Sequence, residues 1–457
     1  MFQATCRGDS ESGKTAVAAR PRGAGPRGLG RVLGRLPLIL ACAVLLSVPG
    51  PSRAQEPVTV TVACSALGIE AQLCREGAEI WSERTGNRVA FVAPPRSASD
   101  RLALYQQLLA ARSADIDVFQ IDVVWPGILG DYLVDLSTHV SGETMQGHLP
   151  ALVDAATVKN RLVALPWFVD AGILYCRRDL LEKYGRGLPE TWQELEDTAR
   201  LIQEGERKAG NDRMWGYVWQ GRAYEGLTVN ALEWIDSYHG GSIVSREGEI
   251  TINNPKASQA LEMAASWVGE ITPPGVLNYT EEEARGVFQS GNAVFMRNWP
   301  YAWPLVNSDD SPVKGQVEVT PLPRGGAEGK RTSTLGGAML GVNRFSPRGE
   351  AAIDLVRHLA SPEEQKRRAV KGGFNPTVVA LYDDPEVVEA NPFFEEIHET
   401  VATGVVRPAQ ATRMRYNQVS NEFWNAVHET LSGRKEPAES LAEFEQTLER
   451  VSRGGRW

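Results

Sequence analysis

Val58-Thr-Val-Thr-Val-Ala63 opens the stretch whose reading decides the fold: it leads through a helical pattern at 69–85 ended by Gly86, the run Arg88-Val-Ala-Phe-Val92, a second helical pattern at 99–112, and Asp117-Val-Phe-Gln-Ile121. β-Branched and aromatic residues suit strands, whereas the intervening segments repeat apolar residues at three- and four-residue spacing. Strand and helix therefore alternate. That order predicts an α/β fold with a mainly parallel sheet and places ligands beyond the carboxyl ends of its strands, where Asp122 and Trp125 stand.

Further along, Gly172-Ile-Leu-Tyr-Cys176 begins a new strand, and Thr191-Trp-Gln-Glu194 is a capping box opening a helix to about Glu206. A strand at 215–219, amphipathic helices at 227–238 and 256–270, and a helical segment at 280–289 follow. A glycine-rich strand is expected at 335–342, then helices at 347–359, 417–432 and 437–453. This second α/β unit, in a chain of 457 residues, exceeds what one core comfortably holds and predicts two domains. No internal repeat is visible.

Residues 1–54 carry eight Lys/Arg against two acids, then an apolar run at 36–49 and the small-x-small Ser52-Arg-Ala54. A signal peptide and a periplasmic mature chain are expected. The run is shorter than the ~20 residues that span a bilayer. Cys42 offers a lipoprotein alternative, disfavoured by the leucine before Ala41 and by the apolar residues beyond the cysteine. A glycine match at Gly23, Gly25 and Gly28 lies inside this leader with no strand before it, so it is not read as a nucleotide site. Removing the leader's charge of +6 from the total of −9 leaves about −15 on the rest, which disfavours nucleic acid and anionic membranes.

Beyond the leader stand Cys64, Cys74 and Cys176; the first two are close enough to close a small loop, and the third lies in an apolar run. No zinc-ligand spacing and no Gly-x-Ser-x-Gly motif is present, so neither metal, cofactor nor triad chemistry is expected. The run from Phe288 through Asn298-Trp-Pro-Tyr301-Ala-Trp303 locks three aromatics beside Pro300 and Pro304. Rings on a rigid, half-polar turn suit the C–H face of a pyranose, although a buried aromatic corner has the same composition.

Asp117-Val-Phe-Gln-Ile-Asp122-Val-Val-Trp125, Leu165-Pro-Trp-Phe-Val-Asp170, Asp179-Leu-Leu-Glu-Lys-Tyr-Gly185, Trp219-Gln-Gly-Arg-Ala-Tyr-Glu225-Gly226 and the Asn298–Trp303 corner together resemble the trehalose/maltose-binding proteins, the extracellular solute-binding receptors of carbohydrate ABC importers. The resemblance runs from about Val58 to Leu448. It implies a two-lobe, hinged Venus-flytrap fold of mixed sheets flanked by helices, with lobes at 57–167 plus 324–372 and 168–323 plus 373–457. It also implies a monomer that performs no chemistry, clamps a disaccharide such as trehalose or maltose, and delivers it to permease transmembrane subunits.

Carried over by resemblance, Glu70, Asp122 and Asp170 accept sugar hydroxyls, Arg101 and Arg407 fork onto sugar oxygens, and Trp125, Trp299 and Tyr301 form stacking surfaces. Phe168, Glu225, Gly336 and Gly337 join them as cleft residues. Glu70 could equally be a helix N-terminal acid compensating the dipole. Two departures bear on specificity: Ala338 follows Gly336-Gly337 where the family often has tryptophan, and Phe168 replaces a common tyrosine. The rival readings are a secreted glycosidase using paired acids, and a receptor of the same fold for an anionic glycoside held by Arg101 and Arg407.

Overall fold

In the first sheet, strands β1 (Thr59–Ala63), β2 (Arg88–Val92) and β3 (Val118–Asp122) pair in parallel. The computed structural model describes residues 56–65, 67–394, 400 and 404–457. The leader, its cleavage site and Cys42 lie outside the described residues.

After a short hairpin of β4 (Thr157–Val158) and β5 (Arg161–Leu162), β6 (Leu165–Ala171) forms the edge of the first sheet, whose order is β2-β1-β3-β11-β6. The expected strand at 335–342 is β11 (Leu335–Val342), and it runs antiparallel to both β3 and β6. The sheet is therefore mixed rather than mainly parallel, because β11 returns from the other half of the chain instead of through a helical crossover. The register of β11 shifts at Ala338/Met339, next to Gly337 with φ of 123°. A Cβ on Gly337 would lie 2.4 Å from the Phe168 carbonyl, so glycine alone fits.

The second sheet has the order β10-β7-β9-β8, with β7 at Ile173–Arg177, β8 at Trp215–Val218, β9 at Ala293–Asn298 and β10 at Val317–Pro321. Sequence patterning does not reveal β6 or β10. Pro166 argues against a strand, but β6 is an edge, where a missing N–H is tolerated. Each sheet has its own core. Val60, Val62, Trp81, Phe119 and Leu340 pack the first, and in the second Tyr217, Trp219, Trp234 and Trp267 interlock edge-on with Trp192 tilted against Tyr217 and Trp267. Cys64 and Cys74 form a disulfide that ties the end of β1 to the helix Glu70–Thr85, and Cys176 is a buried free thiol. At Thr191 the hydroxyl accepts the Glu194 N–H at 3.2 Å, but the Glu194 carboxylate takes the N–H of Glu190 rather than that of the cap itself.

Gly172 is the one residue between β6 and β7, where the chain leaves the first sheet for the second. A Cβ there would stand 2.2 Å from Arg297 Nη2 and 2.3 Å from Glu233 Oε1. Those atoms belong to a fully buried ion pair, closed by Arg297 Nη2 on Glu233 at 2.6 Å and by Nε at 2.9 Å. Neither partner can yield without leaving a buried charge unpaired. Gly172→Ala is therefore expected to lower unfolding free energy by about 3 kcal/mol or more in denaturant titration. A variant as stable as the parent would contradict this packing.

Candidate functional site

Alternation along β6 turns Phe168 and Asp170 to the same face, and the two border a cavity of about 90 Å³ together with Asp122 from the end of β3 and Gly336, Gly337 and Ala338 from β11. Glu70, first residue of its helix, and Arg101, in the helix Ala98–Ala110, complete the wall built on the first sheet. The opposite wall carries Glu225 at the start of the helix Glu225–Ser237, Trp299 and Tyr301 just beyond β9, and Arg407. A larger groove of about 610 Å³ runs along Val123–Gly127 and Thr412–Arg415, but the convergent charged groups are in the smaller cavity.

Arg407 spans the two walls. Its Nη2 donates to Asp122 Oδ1 at 2.7 Å, its Nη1 to Glu225 Oε1 at 2.8 Å, and Nη2 also reaches the Leu335 carbonyl at 3.3 Å. Burial disfavours its charge, yet Asp122, Tyr416 and Glu225 more than offset that and hold the guanidinium above its usual range. Glu225 also accepts the Tyr416 hydroxyl and, at 2.7 Å, that of Ser420, while its own N–H donates to Ser99 Oγ at 3.1 Å. Its oxygens are thus committed within the protein. Tyr301 is likewise committed: its hydroxyl donates to Glu282 at 2.7 Å, and a Cβ on Gly68 would lie 2.6 Å from its ring.

Other groups keep free capacity. Asp170 Oδ1 is buried without a partner, as are Nε and Nη1 of Arg101. Burial pushes the Asp170 carboxyl up to about 8, with Glu70 and Asp122 adding to the rise and Arg368 and Arg297 opposing it. Glu70 accepts Gln120 Nε2 at 2.6 Å, and Gln120 Oε1 accepts the Ser65 N–H at 2.7 Å, so the amide fixes the carboxylate against the sheet. The Arg297 guanidinium carbon lies 4.0 Å from the centroid of the Trp299 ring, which leaves the opposite face for the cavity. Among the described residues no cluster of three His, Cys, Asp or Glu could hold a metal ion.

Of the twelve residues selected from sequence, eleven border this cavity and Trp125 does not. Trp125 was expected to stack on ligand; instead it is buried in the first core, edge-on to Tyr105 with ring centroids 6.1 Å apart and with the Arg101 guanidinium 5.5 Å from its ring. The chain turns into the short helix Pro126–Leu129 directly after it, which carries the indole behind β3. Sequence reading missed Ser65, Gln120, Glu281 and Phe374, which also line the cavity; Arg96, the alternative to Arg101 in sequence, lines it as well. Gln120 gave a signal, a lone amide inside the apolar run Val118–Ile121.

Residues 77–366 match the family of bacterial extracellular solute-binding proteins. A probable ABC transporter-binding protein of Deinococcus radiodurans is 48% identical over 401 residues, covering 88% of this chain and 95% of that protein. The structure of maltose-bound MalE3 of T. maritima superposes with a TM-score of 0.81 at 39% identity, covering 86% of this chain and all of the other. An ABC transporter solute-binding protein from Agrobacterium radiobacter in complex with ribitol gives a TM-score of 0.76 at 22% identity over 86% of this chain and 98% of its own, a likeness of fold. The chain shares the two-lobe binding-protein fold of these two structures.

The Arg407 cluster makes a stability forecast. Arg407→Met leaves buried Glu225 and half-buried Asp122 without their cation, and removal of one partner of a buried pair costs about 3–5 kcal/mol. Equilibrium unfolding should show a loss of that order, and unchanged stability would mean that the cluster does not hold the walls together.

Proposed function

The chain belongs to the bacterial extracellular solute-binding proteins, binding proteins of ABC transporters rather than enzymes, and on that premise we propose that it is the receptor for a neutral disaccharide of the α-glucoside type, such as trehalose or maltose. The observation that carries the reading is the pairing of an unpartnered acceptor, Asp170 Oδ1, with unpartnered donors on Arg101 in a cavity walled by Phe168, Trp299, Tyr301 and Phe374. A sugar hydroxyl both donates and accepts, and its C–H face stacks on a ring, so one ligand class satisfies every group. The likeness to a maltose-bound structure at 39% identity over nearly all the folded chain supports the same class.

Glu70, Asp122, Asp170, Arg101, Trp299 and Phe168 line the proposed ligand, with Glu225, Tyr301 and Arg407 bracing the wall and Gly336 and Gly337 giving clearance. An anionic glycoside would find Arg101 but not Arg407, which two carboxylates already neutralise. The lobe boundary expected at 167/168 would cut β6, which belongs to the first sheet as far as Ala171, so we propose that the first crossing between lobes is at Gly172. The protein acts as a periplasmic monomer that hands its ligand to the permease subunits. A cavity of about 90 Å³ is below the ~300 Å³ of small-molecule sites, so a disaccharide enters after the lobes part. The same small volume favours a second reading, a linear polyol, which the test below separates.

Isothermal calorimetry against trehalose, maltose, mannitol, ribitol and glucuronate decides among these. Trehalose or maltose should bind most tightly. At pH 9.5, above the range in which Asp170 titrates, Asp170→Asn should weaken that ligand about ten- to a hundredfold, since a charge-assisted bond is worth about 1.5–3 kcal/mol. Trp299→Ala should cost at least as much, while Asp309→Ala, in an exposed loop, should bind as the parent does. Tightest binding of a polyol or of glucuronate would overturn the disaccharide assignment.

A further inference from the structure

Arg368, on the helix Pro362–Gly372, is fully buried, yet none of its three guanidinium nitrogens has a hydrogen-bond partner among the described residues. Buried arginine ordinarily forks onto a carboxylate or carbonyl. Here it is caged by rings instead, its guanidinium carbon lying 3.7 Å from the centroid of Trp167, 4.4 Å from Phe374 and 5.3 Å from Phe168. Phe168 and Phe374, with ring centroids 4.9 Å apart, line the ligand cavity, whereas Arg368 does not. The cation therefore stands behind an aromatic wall with its charge unneutralised by any direct contact. On the cavity side stand Asp170, two residues from Phe168 on the same face of β6, and Glu70.

We propose that Arg368 is a positioning residue of the binding site, the counter-charge that acts through the ring wall to favour the ionised form of Asp170, the form that accepts ligand hydroxyls. Three carboxylates, Glu70, Asp122 and Asp170, border one small cavity, and Asp122 is already paired with Arg407. The groups that act on or answer to Asp170 are Glu70, Asp122, Arg297, Arg368, Tyr175 and Tyr382, with Arg101 and Arg407 on the same cavity. Burial raises both tyrosines, so they stay neutral. Arg297 spends its charge on Glu233. Arg101 faces the same cavity from the ligand side, and Arg368 is the cation behind the ring wall that answers to Asp170; although burial brings it down to about 10, it remains charged at neutral pH. An ionised carboxylate accepts several bonds, whereas the protonated acid places a donor where the ligand also presents one.

The inference rests on the sugar-receptor reading, and its test has one arm that needs no ligand. In protein labelled with carboxyl-¹³C aspartate, the Asp170 signal, identified by its loss in Asp170→Asn, is followed through pH with ligand absent. The parent midpoint should lie near 8. Arg368→Met, or Arg368→Gln if the methionine variant does not fold, should raise it by at least about one unit, and Arg368→Lys should restore it toward the parent value. In the second arm, maltose affinity at pH 7 should fall about tenfold per unit rise of the midpoint and recover by pH 9.5. A midpoint unmoved in a folded variant lacking the cation would overturn the inference. Failure of the parent to bind maltose at any pH would instead remove the sugar reading and leave the titration result standing.

Discussion

One guanidinium joins the two halves of this molecule. Arg407 is bonded to Asp122 at the end of a first-sheet strand and to Glu225 at the start of a helix beside the second sheet. It consumes two of the carboxylates that sequence reading had offered to a ligand, and it leaves Asp170 and Arg101 with free valence. Trp299 comes close to the β11 backbone: a Cβ on Gly336 would meet the indole at 2.9 Å, so that glycine is clearance for a ring arriving from the other wall.

The aromatic side of the site is held in the same manner, by charge behind it. Arg297, locked to Glu233 and donating to Gln220 Oε1 at 3.1 Å, supports Trp299 from one face, and Arg368 stands behind Phe168 and Phe374. A ring presented to solvent would be free to rotate; a ring backed by a buried cation is preorganised, and rigid stacking surfaces bind sugars at lower entropic cost. The constraint continues into the fold through Gly172, since the crossing between sheets passes over the same Arg297–Glu233 pair.

Much of this was legible in the residues themselves. Asp122 and Asp170 stood out because an acid closing an apolar run has few structural reasons to be there, and both border the cavity. The strands β2 and β11 coincide with their expected limits because glycine and charge punctuate them clearly. The errors have physical causes. Trp125 follows the same strand end as Asp122, but sequence does not say which way a side chain turns once the chain bends into a short helix. Glu225 and Tyr301 were assigned to the cavity correctly in place, yet their polar atoms are bonded within the protein, which only three-dimensional neighbours reveal. Arg368 was invisible, because an arginine on the charged helix Pro362–Gly372 reads as a solvated face.

The account's central claim is that two walls, held by Arg407, part and close around a sugar. Small-angle X-ray scattering of the protein alone and saturated with its tightest-binding sugar tests this most directly. Closure predicts a smaller radius of gyration and maximum dimension with ligand bound. Identical profiles, with binding demonstrated by calorimetry on the same sample, would contradict it.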